Sequence, residues 1–272
     1  MYFSRELKLV GFFCAINLLI TRIIKFIILS KDKKKYYKEN NEIFKIFGIS
    51  REKAEQIYKE IITKVNIDSW KHSTNLNKTT DGSIHHLIFS GLRSLNFNPV
   101  NILEIGTYTG ESTEFLSKLF PNSIIYSIDL PDSDPAFKKY FDSSIQNYLT
   151  YRLKTIKKLD NVKLIKTNTA FLMDLNLPKM DLIWNDGDMF YPDIAWENAY
   201  LYSLLNENGF FLNDDVHLEE NKITLFKKDY LNIYETQKYL EIRIMKKFHY
   251  FFKNENYKQN ILYPKRISIL KK

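Results

Sequence analysis

The stretch Ile102-Leu103-Glu104-Ile105-Gly106-Thr107-Tyr108-Thr109-Gly110-Glu111-Ser112 decides how this 272-residue chain is read. An apolar run ends in an acid, and two glycines four apart then turn the chain into a helical pattern. Glycines at such a turn let backbone approach a ligand at the carboxyl end of a strand, where open parallel sheets bind cofactors. The three-glycine dinucleotide fingerprint is absent, since Gly106 and Gly110 lack the closer glycine pair. That counts against a nicotinamide-dependent oxidoreductase.

Outward from this stretch, residues 101–213 alternate short apolar runs with helical periodicity, the signature of βαβ units. Strands are predicted at 100–105, 123–128, 162–166, 180–184 and 209–212, with helices at 112–120, 136–159 and 194–205. Residues 222–250 read as helix with a later strand, and 266–270 as a last strand. Upstream, Ser50 is a candidate N-cap for a helix carrying Ala54, Ile57, Tyr58, Ile61, Ile62 and Val65 at helical spacing, and a second apolar segment spans 84–95. The expected fold is α/β: a Rossmann-like, doubly wound, mostly parallel sheet with an N-terminal helical extension. Its expected organisation is a basic amphipathic helix and linker at 1–38, a helical part at 39–98 and the α/β domain at 99–272. The charged segment 31–42 reads as linker.

Two acidic clusters sit at predicted strand ends. Strand two ends in Tyr126-Ser127-Ile128-Asp129, one βα unit after the glycine turn. Its carboxylate is placed to accept both hydroxyls of a ribose. Strand four runs into Asn185-Asp186-Gly187-Asp188, and strand five into Asn213-Asp214-Asp215. Neighbouring strands lie ~4.8 Å apart, so these carboxylates can converge, and like charges held together call for a cation. Oxygen-only ligands suit a hard ion such as Mg²⁺. Ordinary solvated aspartates at strand ends are the alternative in both places.

The pattern Glu-x-Gly-x-Tyr-x-Gly-x-Ser, followed by an acidic end of strand two, resembles the class I S-adenosylmethionine (SAM)-dependent O-methyltransferases. The likeness is to the metal-dependent catechol and caffeoyl-coenzyme A type and to related sugar- and antibiotic-tailoring enzymes, over residues 80–218. It implies that Gly106, Tyr108 and Gly110 line the methionine end of SAM, with Glu104 and Ser112 close by. It also implies Asp129 on the ribose, Asn168 or Thr169 near the adenine, and a metal held by Asp186, Asp214 and Asp215. The chain departs from the family at Met189, where relatives carry a Lys or His able to act as general base. Asp188 and His217 are the candidates to replace it, unless the metal alone suffices. His85 and His86 precede strand one. Adjacent helical residues diverge, so at most one is expected to face the substrate, and a packed or solvated histidine is the ordinary reading. Trp70, Trp184, Tyr191 and Trp196 are pocket candidates that core packing explains equally well.

The net charge of +8 is concentrated at one end. Residues 1–38 carry nine Lys or Arg against two acids, so the remainder is nearly neutral and no nucleic-acid surface is expected. Within that tail, Leu9, Phe12, Phe13, Ile16, Leu19, Ile20, Ile23 and Ile27 share a helical face opposite Lys8, Arg22 and Lys25. A basic amphipathic helix on an anionic membrane surface fits, and a span or packing against protein remain open. No small-x-small cleavage site follows the apolar run. The single cysteine, Cys14, rules out an internal disulfide framework. The sequence thus points to a SAM-dependent, metal-assisted O-methyltransferase acting on a hydroxylated small molecule or sugar. Its expected place is the cytoplasm, with the tail peripheral on the membrane's inner face, and its oligomeric state is open. The alternative is a membrane-tethered, non-catalytic SAM-fold binding module.

Overall fold

The structure is a computed structural model that describes residues 34–65, 84–135, 145–187, 193–216, 250–253 and 266–272. Seven strands form one sheet: β1 Asn101–Ile105, β2 Ile124–Asp129, β3 Val162–Lys166, β4 Met180–Asn185, β5 Leu205–Val216, β6 Tyr250–Lys253 and β7 Arg266–Lys271. Their order is β3-β2-β1-β4-β5-β7-β6. Strands β1 to β5 are mutually parallel, and β7 runs antiparallel to both β5 and β6. Residues 34–46 are helical and are called α1. They are followed by α2 Arg51–Ile62, α3 Ile84–Ser94, α4 Glu111–Leu119, α5 Ile145–Ile156 and α6 Asp193–Leu204. A 3₁₀ segment, Thr169–Leu175, follows β3. The doubly wound, mostly parallel α/β sheet expected from the sequence is the one observed.

Parallel strands buried on both faces need apolar residues in both registers. Here alternate residues go to opposite faces. Ile102, Leu182, Trp184, Phe210 and Leu212 pack with Phe44, Ala54, Tyr58, Ile88, Phe89 and Phe115 from the helices on one side. Leu103, Ile105, Ile183 and Phe211 pack on the other with Leu172 and Leu201. Each such side chain contributes about 1.5–3 kcal/mol when fully buried. The N-terminal helices α1 to α3 thus share the sheet's own core. Ser50 caps α2, its hydroxyl accepting the Lys53 N–H at 3.4 Å.

Residues 34–42 correct the expectation of a linker. They belong to α1, whose far end buries Phe44 in the core, so one apolar anchor outweighs a charged surface. Strand β5 is longer than predicted, and the 3₁₀ segment was not foreseen. The tail at 1–33 and all of 222–249 lie outside the described residues. Among the described residues, no helix is long and apolar enough to cross a membrane.

The strand order reverses between β1 and β4, since β1 continues to β2 on one side while β4 was reached by crossing back. Such a switch point opens a crevice at the carboxyl ends of the strands. The Gly106–Gly110 turn leaves β1 there. Gly106 has φ +87° and donates its N–H to Ile128 O at 2.9 Å, while the Asp186 N–H donates to Ile105 O at 2.9 Å. A Cβ on Gly106 would lie 2.3 Å from the backbone oxygen of Asp186, so the ends of β1 and β4 meet this closely only over a glycine. Gly110 also has positive φ, but a Cβ there would meet the movable Ile156 side chain at 3.2 Å. Gly106→Ala is expected to cost about 1–3 kcal/mol in backbone strain alone, with the clash added. Gly110→Ala should cost less. Urea midpoints test this, and equal midpoints for Gly106→Ala and the parent would contradict the close approach.

Candidate functional site

The turn after β1 is organised by one carboxylate. Asp129, the last residue of β2, accepts the Tyr108 N–H on Oδ2 at 2.9 Å and the Leu130 N–H on Oδ1 at 2.7 Å. Tyr108 has φ +49°, a conformation unusual outside glycine, and its side chain stays 46% exposed over the crevice. The Thr167 N–H donates to Asp129 O at 2.8 Å, which ties the end of β3 to the same place. Asn168 caps the 3₁₀ segment, its Oδ1 accepting the Ala170 N–H at 2.9 Å, and Thr169 begins that segment. The structure therefore brings Gly106, Tyr108, Gly110, Asp129, Asn168 and Thr169 to the carboxyl ends of β1, β2 and β3.

A residue that sequence reasoning missed completes this arrangement. Arg152, from α5, is wholly buried and donates from Nη1 to Asp129 Oδ2 at 2.8 Å. Its Nη2 pairs with Asp132, which Lys166 also pairs with. Its position on the helical stripe of Leu149 and Ile156 is the one trace in the sequence, and it names no partner. A cation on a buried stripe needs a carboxylate partner. Burial raises the Asp129 pKa, opposed by the Arg152 guanidinium and the two backbone N–H groups.

Glu104 is placed inside the sheet layer. It is fully buried, and its Oε2 accepts the hydroxyls of Thr113 and Ser127. Thr107 and Ser127 hydroxyls lie 2.6 Å apart, extending the network to the turn. The other oxygen, Oε1, is buried with no partner among the described residues. Burial pushes Glu104 up to about 7, against the two hydroxyls that favour its charge.

Ser112 opens the next helix beside His85, with Oγ 3.2 Å from Nε2. Both histidines turn inward, in line with the reading of packed histidines. Their Nε2 atoms are 3.2 Å apart, His85 against Trp184 and His86 against Phe115. The reason is that α3 has buried neighbours on two flanks, so residues 100° apart both meet the core. Burial takes His85 down to about 3 and His86 well below its usual value, the latter helped by His85. Both are neutral at physiological pH and too weakly basic to serve as a general base. Trp184 is fully buried core, Trp196 is half-buried, and Trp70 and Tyr191 lie outside the described residues.

At the ends of β4 and β5, Asn185 and Asn213 are register partners, which puts Asp186 and Asp214 side by side just beyond. Asn185 is anchored to α6 through Glu197 Oε1 at 2.8 Å and Asn198 Oδ1 at 3.2 Å. A register shift in the β5–β7 pairing falls between Asn213 and Val216, on the Asp214–Asp215 backbone. Asp188, His217 and the Asp215 side chain lie outside the described residues. Among the described residues, no group of three or more His, Cys, Asp or Glu is gathered to hold a metal.

No protein-family model matches the sequence, and no curated protein matches it. Solved structures do. An O-methyltransferase from Bacillus cereus in complex with SAH is 12% identical, with TM-score 0.50, covering 80% of this chain and 91% of that one. A candidate O-methyltransferase from Klebsiella pneumoniae is 12% identical, with TM-score 0.52, covering 78% of this chain and 89% of that one. At that identity the likeness establishes the fold: this chain has the class I methyltransferase fold.

The Glu104 environment yields a pH prediction. The folded state holds this proton from the ordinary carboxylate pKa, 4.5, up to about 7, where the unfolded chain has lost it. Stability from this group is therefore greatest below that window and falls as pH rises through it, by at most about 1.4 kcal/mol per pH unit. Glu104→Gln should fall less between pH 5 and 8 in urea unfolding; slopes identical to the parent's would refute the shifted pKa.

Proposed function

We propose that this protein is a SAM-dependent methyltransferase acting on a hydroxyl oxygen of a small molecule or sugar. The observation that carries the reading is the Asp129 carboxylate bound to the Tyr108 N–H across the switch-point turn. It sets a ribose-binding acid beside a glycine turn that exposes backbone to a ligand. The fold shared with O-methyltransferases, one of them holding SAH, supports the same ligand. In this reading Gly106, Tyr108 and Gly110 receive the methionine end, and Asp129 the ribose. Asn168 and Thr169 lie near the adenine. Methyl transfer from a sulfonium is an in-line displacement, and the protein's contribution is to hold the acceptor oxygen against the methyl carbon.

Asp186, Asp214 and Asp215 are proposed to hold a hard divalent cation such as Mg²⁺. Their oxygens fit such an ion. The register of β4 and β5 supports convergence of Asp186 and Asp214, because it sets the ends of the two strands side by side. When bound, such an ion lowers the pKa of an acceptor hydroxyl and orients it. With His85 and His86 too weakly basic, Asp188 and His217 remain the proposed proton acceptors from this chain.

The absence of a basic side chain at Met189 favours a second reading, a SAM-binding module without transfer. Calorimetric titration of SAM, followed by incubation of labelled SAM with hydroxylated acceptors, separates the two. The expected result is micromolar binding, weakened at least about tenfold in Asp129→Ala, and transfer that Mg²⁺ raises and Asp214→Asn lowers. Binding without transfer to any acceptor would favour the module; no binding by folded protein would overturn both.

The tail is proposed to lie on an anionic surface at the inner face of a membrane, on the strength of its nine cations and apolar stripe. Sedimentation with phosphatidylserine vesicles at low salt should carry the full chain down, and equal sedimentation with neutral vesicles would contradict the charge-driven part.

A further inference from the structure

We propose that Arg152 is a positioning residue of the ribose site, orienting the Asp129 carboxylate as an acceptor for the two ribose hydroxyls; this rests on the SAM-binding reading above. The geometry is specific. The Arg152 side chain is 0% exposed and that of Asp129 10%, with Nη1 and Oδ2 2.8 Å apart. The same Oδ2 takes the Tyr108 N–H, and Oδ1 takes the Leu130 N–H. The carboxylate is thus held from three directions: from α5, from the glycine turn and from its own strand end. The second arm of the guanidinium is fixed by Asp132, and Asp132 in turn by Lys166, so two cations and two anions alternate along the site's edge.

A guanidinium anchored at both arms in a buried setting does not leave to admit a ligand, since withdrawal would strand a buried carboxylate. It stays, and its charge opposes the burial that would protonate Asp129. A protonated carboxyl carries its own hydrogen and loses acceptor capacity, so a ribose diol needs the ionised form. The other titratable or charged groups around Asp129 are Glu104 from β1, Tyr108 from the turn, Asp132 from the following loop and Lys166 from β3. Of these, Asp132 alone is paired with Arg152, and in Arg152→Gln it keeps Lys166 as its cation.

The test titrates SAH into the full chain, Arg152→Gln and Arg152→Lys between pH 5.5 and 9, with thermal unfolding confirming that each is folded. Arg152→Gln should bind at least about tenfold more weakly at pH 7 and regain affinity as pH rises, because burial no longer opposed by the guanidinium raises the Asp129 pKa further. Arg152→Lys should restore most of the affinity at pH 7. Adenosine should bind the parent more tightly than 2′,3′-dideoxyadenosine, and that preference should shrink in Arg152→Gln. A folded Arg152→Gln with parental affinity, or one weakened by the same factor at every pH, overturns the proposal. Should Arg152→Gln unfold, Arg152→Lys carries the test. Its single point charge grips Asp129 less firmly, so acid weakening should begin at higher pH than in the parent, and a superimposable profile overturns the idea. Absence of SAH binding by the parent would instead overturn the cofactor reading itself.

Discussion

Asp129 receives hydrogen bonds from the Tyr108 N–H, the Leu130 N–H and the Arg152 guanidinium, so one carboxylate joins the β1 turn, the end of β2 and helix α5. Much of the site depends on that junction. It holds Tyr108 at positive φ, a conformation that persists only when its surroundings over-determine it. It brings a buried cation to the sheet's edge and, through Asp132, reaches Lys166 on β3. Beneath it, Gly106 lets the ends of β1 and β4 meet at a distance no other residue permits. The crevice is thus defined by backbone approach on one side and a fixed carboxylate on the other.

The polar groups under the crevice follow the same logic of burial and compensation. Glu104 sits in the sheet layer with two hydroxyls on one oxygen, and burial raises its pKa to about 7. A buried acid is costly unless it is hydrogen-bonded or protonated, and here both devices operate. Ser127 links it through Thr107 to the turn that carries Tyr108. The neighbouring histidine pair solves its burial by staying neutral among aromatic rings.

Much of the fold was legible because its signal is periodic and local. Strands β1 to β4 are short, mostly apolar runs of the length parallel strands need, and β3 was located to the residue at Val162–Lys166. The turn at Gly106 and Gly110 and the strand-end place of Asp129 were readable because two glycines break one apolar run and an acid ends the next. What was not legible depended on tertiary partners. Arg152 looks like one more cation on an ordinary helix until Asp129 and Asp132 are seen beside it. The charged residues 34–42 suggest linker, and only the burial of Phe44 shows why helix persists there. His85 and His86 diverge on an isolated helix, yet both are buried because α3 lies against Trp184 on one flank and Phe115 on the other. The register shift between Asn213 and Val216 in the β5–β7 pairing leaves no mark in the sequence.

The most direct test of the central claim is a crystal structure of the protein grown with SAH. The account predicts the nucleoside across the carboxyl ends of β1 and β2, with both ribose hydroxyls on Asp129, Arg152 still in contact with that carboxylate, and the Gly106–Gly110 backbone against the amino-acid end. A nucleoside bound elsewhere, or one whose ribose leaves Asp129 untouched, would contradict it.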